Sequence, residues 1–577
     1  MPLDIDQYAL LADSRTGALV GADGSIDWLC VPRFDAASVF GALLGDADHG
    51  RWLLAPVGDA RLVSRAYDGD TFTLETVWAT DDGVARVTDV MPVGDGSHVV
   101  RRIEGVSGRV VMRHELRVRF DYAEALPWVR QGDDGLVAVA GPDALVVRGL
   151  LWQADGFSHE AIVSVTAGER VDTVLSWFPS YAAPPATLDV EAALRTTRDW
   201  WADWAAGSSS TGLVRRSLLV LRALSNIDTG GIVAAATTSL PEDFGGSRNW
   251  DYRFVWLRDA ALAIEELLAA GFTEEAAEWR DWLIRAVAGD PADVQIMYGV
   301  AGERRLTEWV ADSLPGYRGS APVRIGNAAF TQTQVDVFGE VLRALGLARD
   351  AGLVEDDLSW PLEVELLTHL ETIWQQPDRG IWEIRGPARH FVHSRAMAWA
   401  AFDAGIRGID SGRRGPRARW ALVRDAIRAS ILADGVAPGG WFRQHDETDE
   451  VDASLLVLPM IGFCAADDPI MLATVERIEQ TLVVDGLVRR YRTESGVDGV
   501  EGGENAFLAC SFWLVQQYAR SGRADDAQQL FDRLSALAND VGLLAEQYDS
   551  GAGRAAGNVP QALSHLTLVA AARALAS

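Results

Sequence analysis

Apolar and polar positions follow two different periods along this chain. From residue 1 to about 185 the apolar residues fall in short runs rich in Val, Thr and aromatics, as at 70–79, 84–90, 109–119 and 160–165. Residues 110–120, VVMRHELRVRF, trade apolar for charged side chains in alternation. That period places one face on a core and the other in water, so the region reads as a β-sandwich. Gly, Asp and Pro clusters supply the turns. The period changes after Ala182, Ala183, Pro184 and Pro185. A helical stretch near 190–206 leads to the break Gly207, Ser208, Ser209, Ser210, and the linker is placed there. Beyond it, three-to-four-residue apolar spacing predicts about twelve helices: 213–227, 255–270, 274–287, 328–350, 361–376, 391–407, 417–432, 452–463, 472–484, 506–520, 524–538 and 561–575. Six helical hairpins closing into a ring fit that number, as does an open solenoid. The boundaries expected are 1–187 for the β domain, 188–212 for the linker and 213–577 for the helical domain.

Composition then narrows the chemistry. All 52 basic residues are arginine and the net charge is -30. A chain without lysine forms no Schiff base through lysine and carries neither a Walker-type P-loop nor a kinase lysine. Its charge repels nucleic acid and anionic membranes. The three cysteines, Cys30, Cys464 and Cys510, lie too far apart for a metal-ligand motif and are expected as reduced thiols. No stretch spans a membrane, and the acidic opening lacks the basic start of a signal peptide, so a cytoplasmic enzyme is expected. His390 and His393 have no partnering cluster; ordinary hydrogen bonding is expected of both, with no metal and no cofactor.

Three loops between the helices could carry chemistry. In 249–259, NWDYRFVWLRD, an Arg–Asp pair beside aromatics can grip adjacent sugar hydroxyls, or can be a helix-entry salt bridge. In 378–386, Glu383 lies between Trp382 and Ile384, where an apolar setting raises a carboxyl pKa as a general acid requires; it reads equally as a surface partner of Arg385. In 543–549, Glu546 follows an apolar run and precedes polar groups that could hold a water, or it is a solvated helix end. Two such carboxylates are the equipment of glycoside hydrolysis. The inverting form keeps them about 6.5–9.5 Å apart to admit a water.

These loops, with the run Thr16 to Asp35 (TGALVGADGSIDWLCVPRFD), the segment 238–253 and residues 322–329 (PVRIGNAA), resemble glycoside hydrolase family 15. The likeness runs from about residue 5 to 575. It implies a multi-domain β + α fold, an N-terminal β-supersandwich followed by an (α/α)6 barrel, and an inverting exo-acting α-glucoside hydrolase. By the same likeness Glu383 is the general acid and Glu546, before Gln547, the general base. Arg258 and Asp259 hold the non-reducing glucose, Tyr252, Trp256 and Trp382 line its subsite, Arg490 is a further substrate arginine, and Gln547 is a further substrate-binding residue. Ile384 stands where fungal glucoamylases carry a second Glu, which argues against polymer specificity of the fungal kind. The expected partner is a small α-glucoside, first isomaltose or short malto- and isomalto-oligosaccharides. Trehalose is the alternative, since residues 295–299 (QIMYG) and Gly326 to Gln332 are similar to the trehalase branch. A glycoside phosphorylase, which would dispense with the base, stands third.

Overall fold

A computed structural model describes residues 1–133, 135–354 and 357–577. The first domain is one connected set of fifteen strands, and every pairing within it is antiparallel. Its organiser is a 21-residue strand, Ser97–Arg117. The first half pairs with Gly83–Val90 and Arg170–Pro179; the second half pairs with Arg51–Pro56 and Ser158–Thr166. Two sheets therefore share one strand, and alternate side chains feed the core between them. The sequence pattern locates only the second half, because the first lacks the alternation: Ser97 to Ile103 are all buried.

Helix α1 (Val190–Ala205) links the domains. The helical domain is a closed ring. Its inner wall is α3 (Leu257–Ala270), α5 (Asp336–Asp350), α7 (Val392–Asp410), a 3-10 turn at Ala453–Val457, α10 (Leu508–Arg520) and α12 (Ala562–Leu575). Each touches the next, and α12 returns to α3. Outside run α2 (Gly212–Ala223), α4 (Thr273–Val287), α6 (Ser359–Ile373), α8 (Arg417–Asp434), α9 (Pro469–Thr481) and α11 (Ala524–Ser535). Burial follows sequence. Helix α10 is buried from Leu508 to Tyr518, whereas α11 buries only Ala527 and Leu534 and sends its acids to solvent. Helices α5 and α7 approach closely at Gly339, where a Cβ would lie 2.3 Å from the Met397 carbonyl oxygen.

Two predicted helices differ. The helix expected at 452–463 is the 3-10 turn, because Pro459 supplies no N–H and disfavours α conformation before it. Asp452 instead caps the turn by accepting from the Ser454 N–H. The helix expected at 328–350 begins only at Asp336. The polar run before it leaves the helix so that Gln332 Nε2 can donate to the Glu383 and Ile384 carbonyls at 3.2 and 3.3 Å.

The Thr16–Asp35 motif is where the domains lock. Trp28 Nε1 donates to the Ala236 carbonyl at 3.0 Å. Arg253, fully buried, makes a two-pronged pair with Asp251 at 2.9 and 2.7 Å, and reaches the Ala36 carbonyl and the Tyr122 hydroxyl. A buried guanidinium needs that many acceptors to offset its desolvation. The β domain therefore anchors the loop that continues into Tyr252 and Trp256.

Candidate active site

The site lies where the N-termini of the inner helices meet the loops that precede them. A cavity of about 470 Å³ opens there, walled by Tyr252, Trp256, Trp382, Glu383 and Arg490, with Trp250 and Asn327 nearer the rim. Five of the nine residues expected in the site thus share one wall.

Glu383 sits in a left-handed turn, φ +50°, a conformation rare for a non-glycine residue. The turn aims its side chain, about one-fifth exposed, into the cavity. Oε1 accepts from Trp256 Nε1 at 3.0 Å and from Arg258 Nη1 at 3.3 Å; among the described residues no bond occupies Oε2. Burial pushes its pKa up to about 7, against the pull of Arg258. It can hold a proton at neutral pH and deliver it.

Glu546 is fully buried at the edge of a three-stranded sheet formed by Ala506–Phe507, Gln547–Asp549 and Arg554–Ala556. Oε2 accepts from the Asn558 N–H at 3.2 Å. Oε1 has no hydrogen-bond partner among the described residues. Gly557 makes this fit possible: a Cβ there would lie 2.4 Å from Oε2. Burial and the neighbouring charge of Glu242 raise the pKa of Glu546, and Arg490 opposes them. Tyr252, whose ring meets Trp256 edge-on at 5.3 Å, feels the negative charge of both Glu546 and Glu383 and so joins the two carboxyls.

The other expected residues divide. Arg490 borders the cavity but is committed elsewhere. Nε donates to Glu504 at 2.8 Å and Nη2 to Glu242 at 2.7 Å, with the guanidinium 5.7 Å from the Trp382 ring. Arg258 and Asp259 stand off the cavity wall. Arg258 donates to Asp259 at 2.8 Å, to the Ile381 carbonyl at 2.8 Å and to Glu383, so its donors brace the acid loop. Gln547 begins the strand after Glu546 and is not part of the cavity wall; its Oε1 accepts from the Asn505 N–H at 3.0 Å. The bond expected for His393 is absent: the ring is buried with neither nitrogen hydrogen-bonded, and burial beside Arg258 drives its pKa to about 3. Among the described residues no group of three or more His, Cys, Asp or Glu side chains is placed to hold a metal.

Sequence reading missed the acids that hold the site. Glu242 and Glu504 flank Arg490. Asp452 accepts from Trp382 Nε1 at 2.9 Å and from Gln444 Nε2 at 2.9 Å, fixing the indole beside the acid. Asp498 pairs with Arg248, accepts from the Tyr491 hydroxyl, and lends its carbonyl to the N–H groups of Arg385 and Gly386. The one available signal is a single acid in an apolar or glycine-rich run, as in LPEDF and GGEN.

The sequence profile described as glycosyl hydrolases family 15 matches residues 208–573, and one described as trehalase-like, N-terminal matches residues 1–178. The chain belongs to glycosyl hydrolases family 15. It is a glycosidase, built as a large antiparallel β domain followed by an (α/α)6 barrel. A protein named trehalase from Mycolicibacterium smegmatis is 35% identical over 98% of this chain and 90% of its own length. Another from Thermoplasma volcanium is 32% identical over 98% and 92% respectively. Among solved structures, a bacterial glucoamylase complexed with acarbose superimposes with a TM-score of 0.72 over 98% of this chain and 92% of that one. At 13% identity that likeness is one of fold. These relatives favour the trehalose alternative over the isomaltose reading.

Proposed function

We propose that this family 15 enzyme hydrolyses α,α-trehalose to two glucose molecules by inversion. The observation that carries the reading is the matched pair of carboxyls. Glu383 in the cavity wall and Glu546, fully buried next to Tyr252 of that wall, each have one oxygen held by a hydrogen bond and one without a hydrogen-bond partner among the described residues. Full-length relatives named trehalase support the choice of substrate.

One glucose enters against Tyr252, Trp256 and Trp382. Glu383 Oε2 protonates the bridging oxygen. Glu546 Oε1 accepts a proton from a water that attacks C1 from the opposite face. The C1–O bond breaks, one glucose leaves as the α anomer and the attacked one as the β anomer. Arg258 acts through Glu383, holding Oε1 so that the proton resides on Oε2. Arg490 balances Glu242 and Glu504 and keeps the floor from accumulating negative charge.

A panel of trehalose, maltose, isomaltose and nigerose tests the substrate. The expected result is a kcat/KM for trehalose at least tenfold above the rest. Equal or better turnover of isomaltose returns the enzyme to the short α-glucosides. Hydrolysis that needs phosphate and yields glucose-1-phosphate would make it a phosphorylase.

A further inference from the structure

A second cavity runs down the barrel axis, with Arg258 and Ile381 of the acid loop at its floor. It encloses about 640 Å³ including its mouth, and each of the six inner elements contributes to its wall. Its depth follows from helix geometry. Arg258 lies at the start of α3, whereas Glu265 and Glu266 lie two turns on; seven residues at 1.5 Å each separate floor from mouth by about 10 Å. Arg573 near the end of α12 and Arg520 at the end of α10 share that mouth. The mouth is held open by charge pairs: Glu265 with Arg343 and Arg573 at 2.6 and 3.1 Å, and Glu266 with Arg573 at 2.6 Å.

The interior holds polar groups that nothing in the protein uses. Glu340 is 5% exposed, and Gln516 4%. Neither makes a hydrogen bond or ion pair among the described residues, and both face the cavity. His393 Nδ1 faces Asp336 Oδ2 at 3.9 Å, and neither ring nitrogen is hydrogen-bonded among the described residues. At the floor Arg258 spends Nη1 on the acid loop and Nε on Asp259, and Nη2 makes no hydrogen bond among the described residues. Leu262, Met397, Met460, Ile461, Trp513 and Leu566 fill the space between these polar groups. Polar groups converging on one largely apolar cavity are the usual mark of a ligand site.

The chemistry selects the partner. A cation would meet Arg258, Arg343, Arg520 and Arg573. An anion would meet Glu340, Glu265 and Glu266. Burial brings Glu340 to about 7, so near neutrality it both donates and accepts. An amide, a carboxyl, an imidazole and a guanidinium set among apolar surface and an indole suit hydroxyl groups on a compact carbon frame.

We propose that the axial cavity is a second binding site for a small neutral polyhydroxy compound of up to hexose size, coupled to catalysis through Arg258. The site is separate from the catalytic cavity and stands whichever glucoside the enzyme hydrolyses. Glucose is the probe. Calorimetric titration of the intact chain, with Gln516→Leu (which removes a polar group) and Ala570→Trp (which plugs the bore), reads it directly. Two glucose sites per chain are expected in the parent and one in each variant. At saturating substrate, where competition at the catalytic site is suppressed, glucose should lower kcat in the parent and not in the variants. Melting temperatures confirm that each variant folds, and a crystal of the parent grown with glucose shows the occupant without any substitution. A catalytic cavity that takes no glucose would leave one site, lost in both variants, which separates the two readings. One site kept by both variants, with only water in the axial cavity, overturns the proposal. Inhibition that is purely competitive overturns the coupling through Arg258.

Discussion

Glu383 and Glu546 are the same side chain in opposite settings. Glu383 sits on a left-handed turn, partly exposed, with an indole N–H and a guanidinium on one oxygen. Glu546 sits just before a strand, fully buried, with one backbone N–H and a carboxylate neighbour. Burial raises both pKa values, but the company differs. Arg258 supplies Glu383 with a cation that steadies the charge left after proton donation. Glu242 supplies Glu546 with an anion that makes it a stronger base. Environment, not residue type, assigns the roles.

The sharpest way to break this pairing is to remove the base. Glu546→Gln should lower kcat by on the order of 10²–10⁴-fold, with KM nearly unchanged, in steady-state kinetics on trehalose. Near-normal turnover would remove Glu546 from the mechanism. Arg258→Met comes next, with kcat down by about tenfold or more. Its pH profile is more telling. Glu546 must be ionised with its pKa at about 8, so kcat/KM peaks between that and the pKa of about 7 of Glu383, which must be protonated. Arg258 lowers that pKa, so its loss should move the alkaline limb to higher pH. A limb that stays in place would mean Arg258 does not act through Glu383.

The counterpart on the base side is smaller and of opposite sign. Glu546 must be ionised, so activity falls as pH drops below its raised pKa. Glu242→Gln removes a charge that raises it, and the whole profile should move to lower pH with a higher maximum. The smallest effect is expected from Asp452→Asn, which weakens the hold on Trp382. Losing about 1 kcal/mol of hydrogen bonding predicts a KM about fivefold higher with kcat retained. A fall in kcat with KM unchanged would give Asp452 a different part.

The period of the apolar residues made both domains legible, and the loops holding the two acids stood out by composition. What stayed hidden was long-range. Arg490 and Glu242 are 248 positions apart, and no local pattern pairs them. Arg258 beside Asp259 resembles a pair of substrate-gripping side chains in sequence; only the fold shows its donors turned to Glu383 and Ile381. Gln547 follows the base in sequence yet is not part of the cavity wall, its Oε1 held by the Asn505 N–H. The Thr16–Asp35 motif had no evident purpose until Trp28 and Ala36 met the catalytic domain.

The claim that Glu383 and Glu546 work from opposite faces of one sugar is tested most directly by the anomers first released from trehalose. Proton NMR, recorded before mutarotation, should show α- and β-glucose in equal amounts. Release of α-glucose alone would mean retention, and would contradict the account.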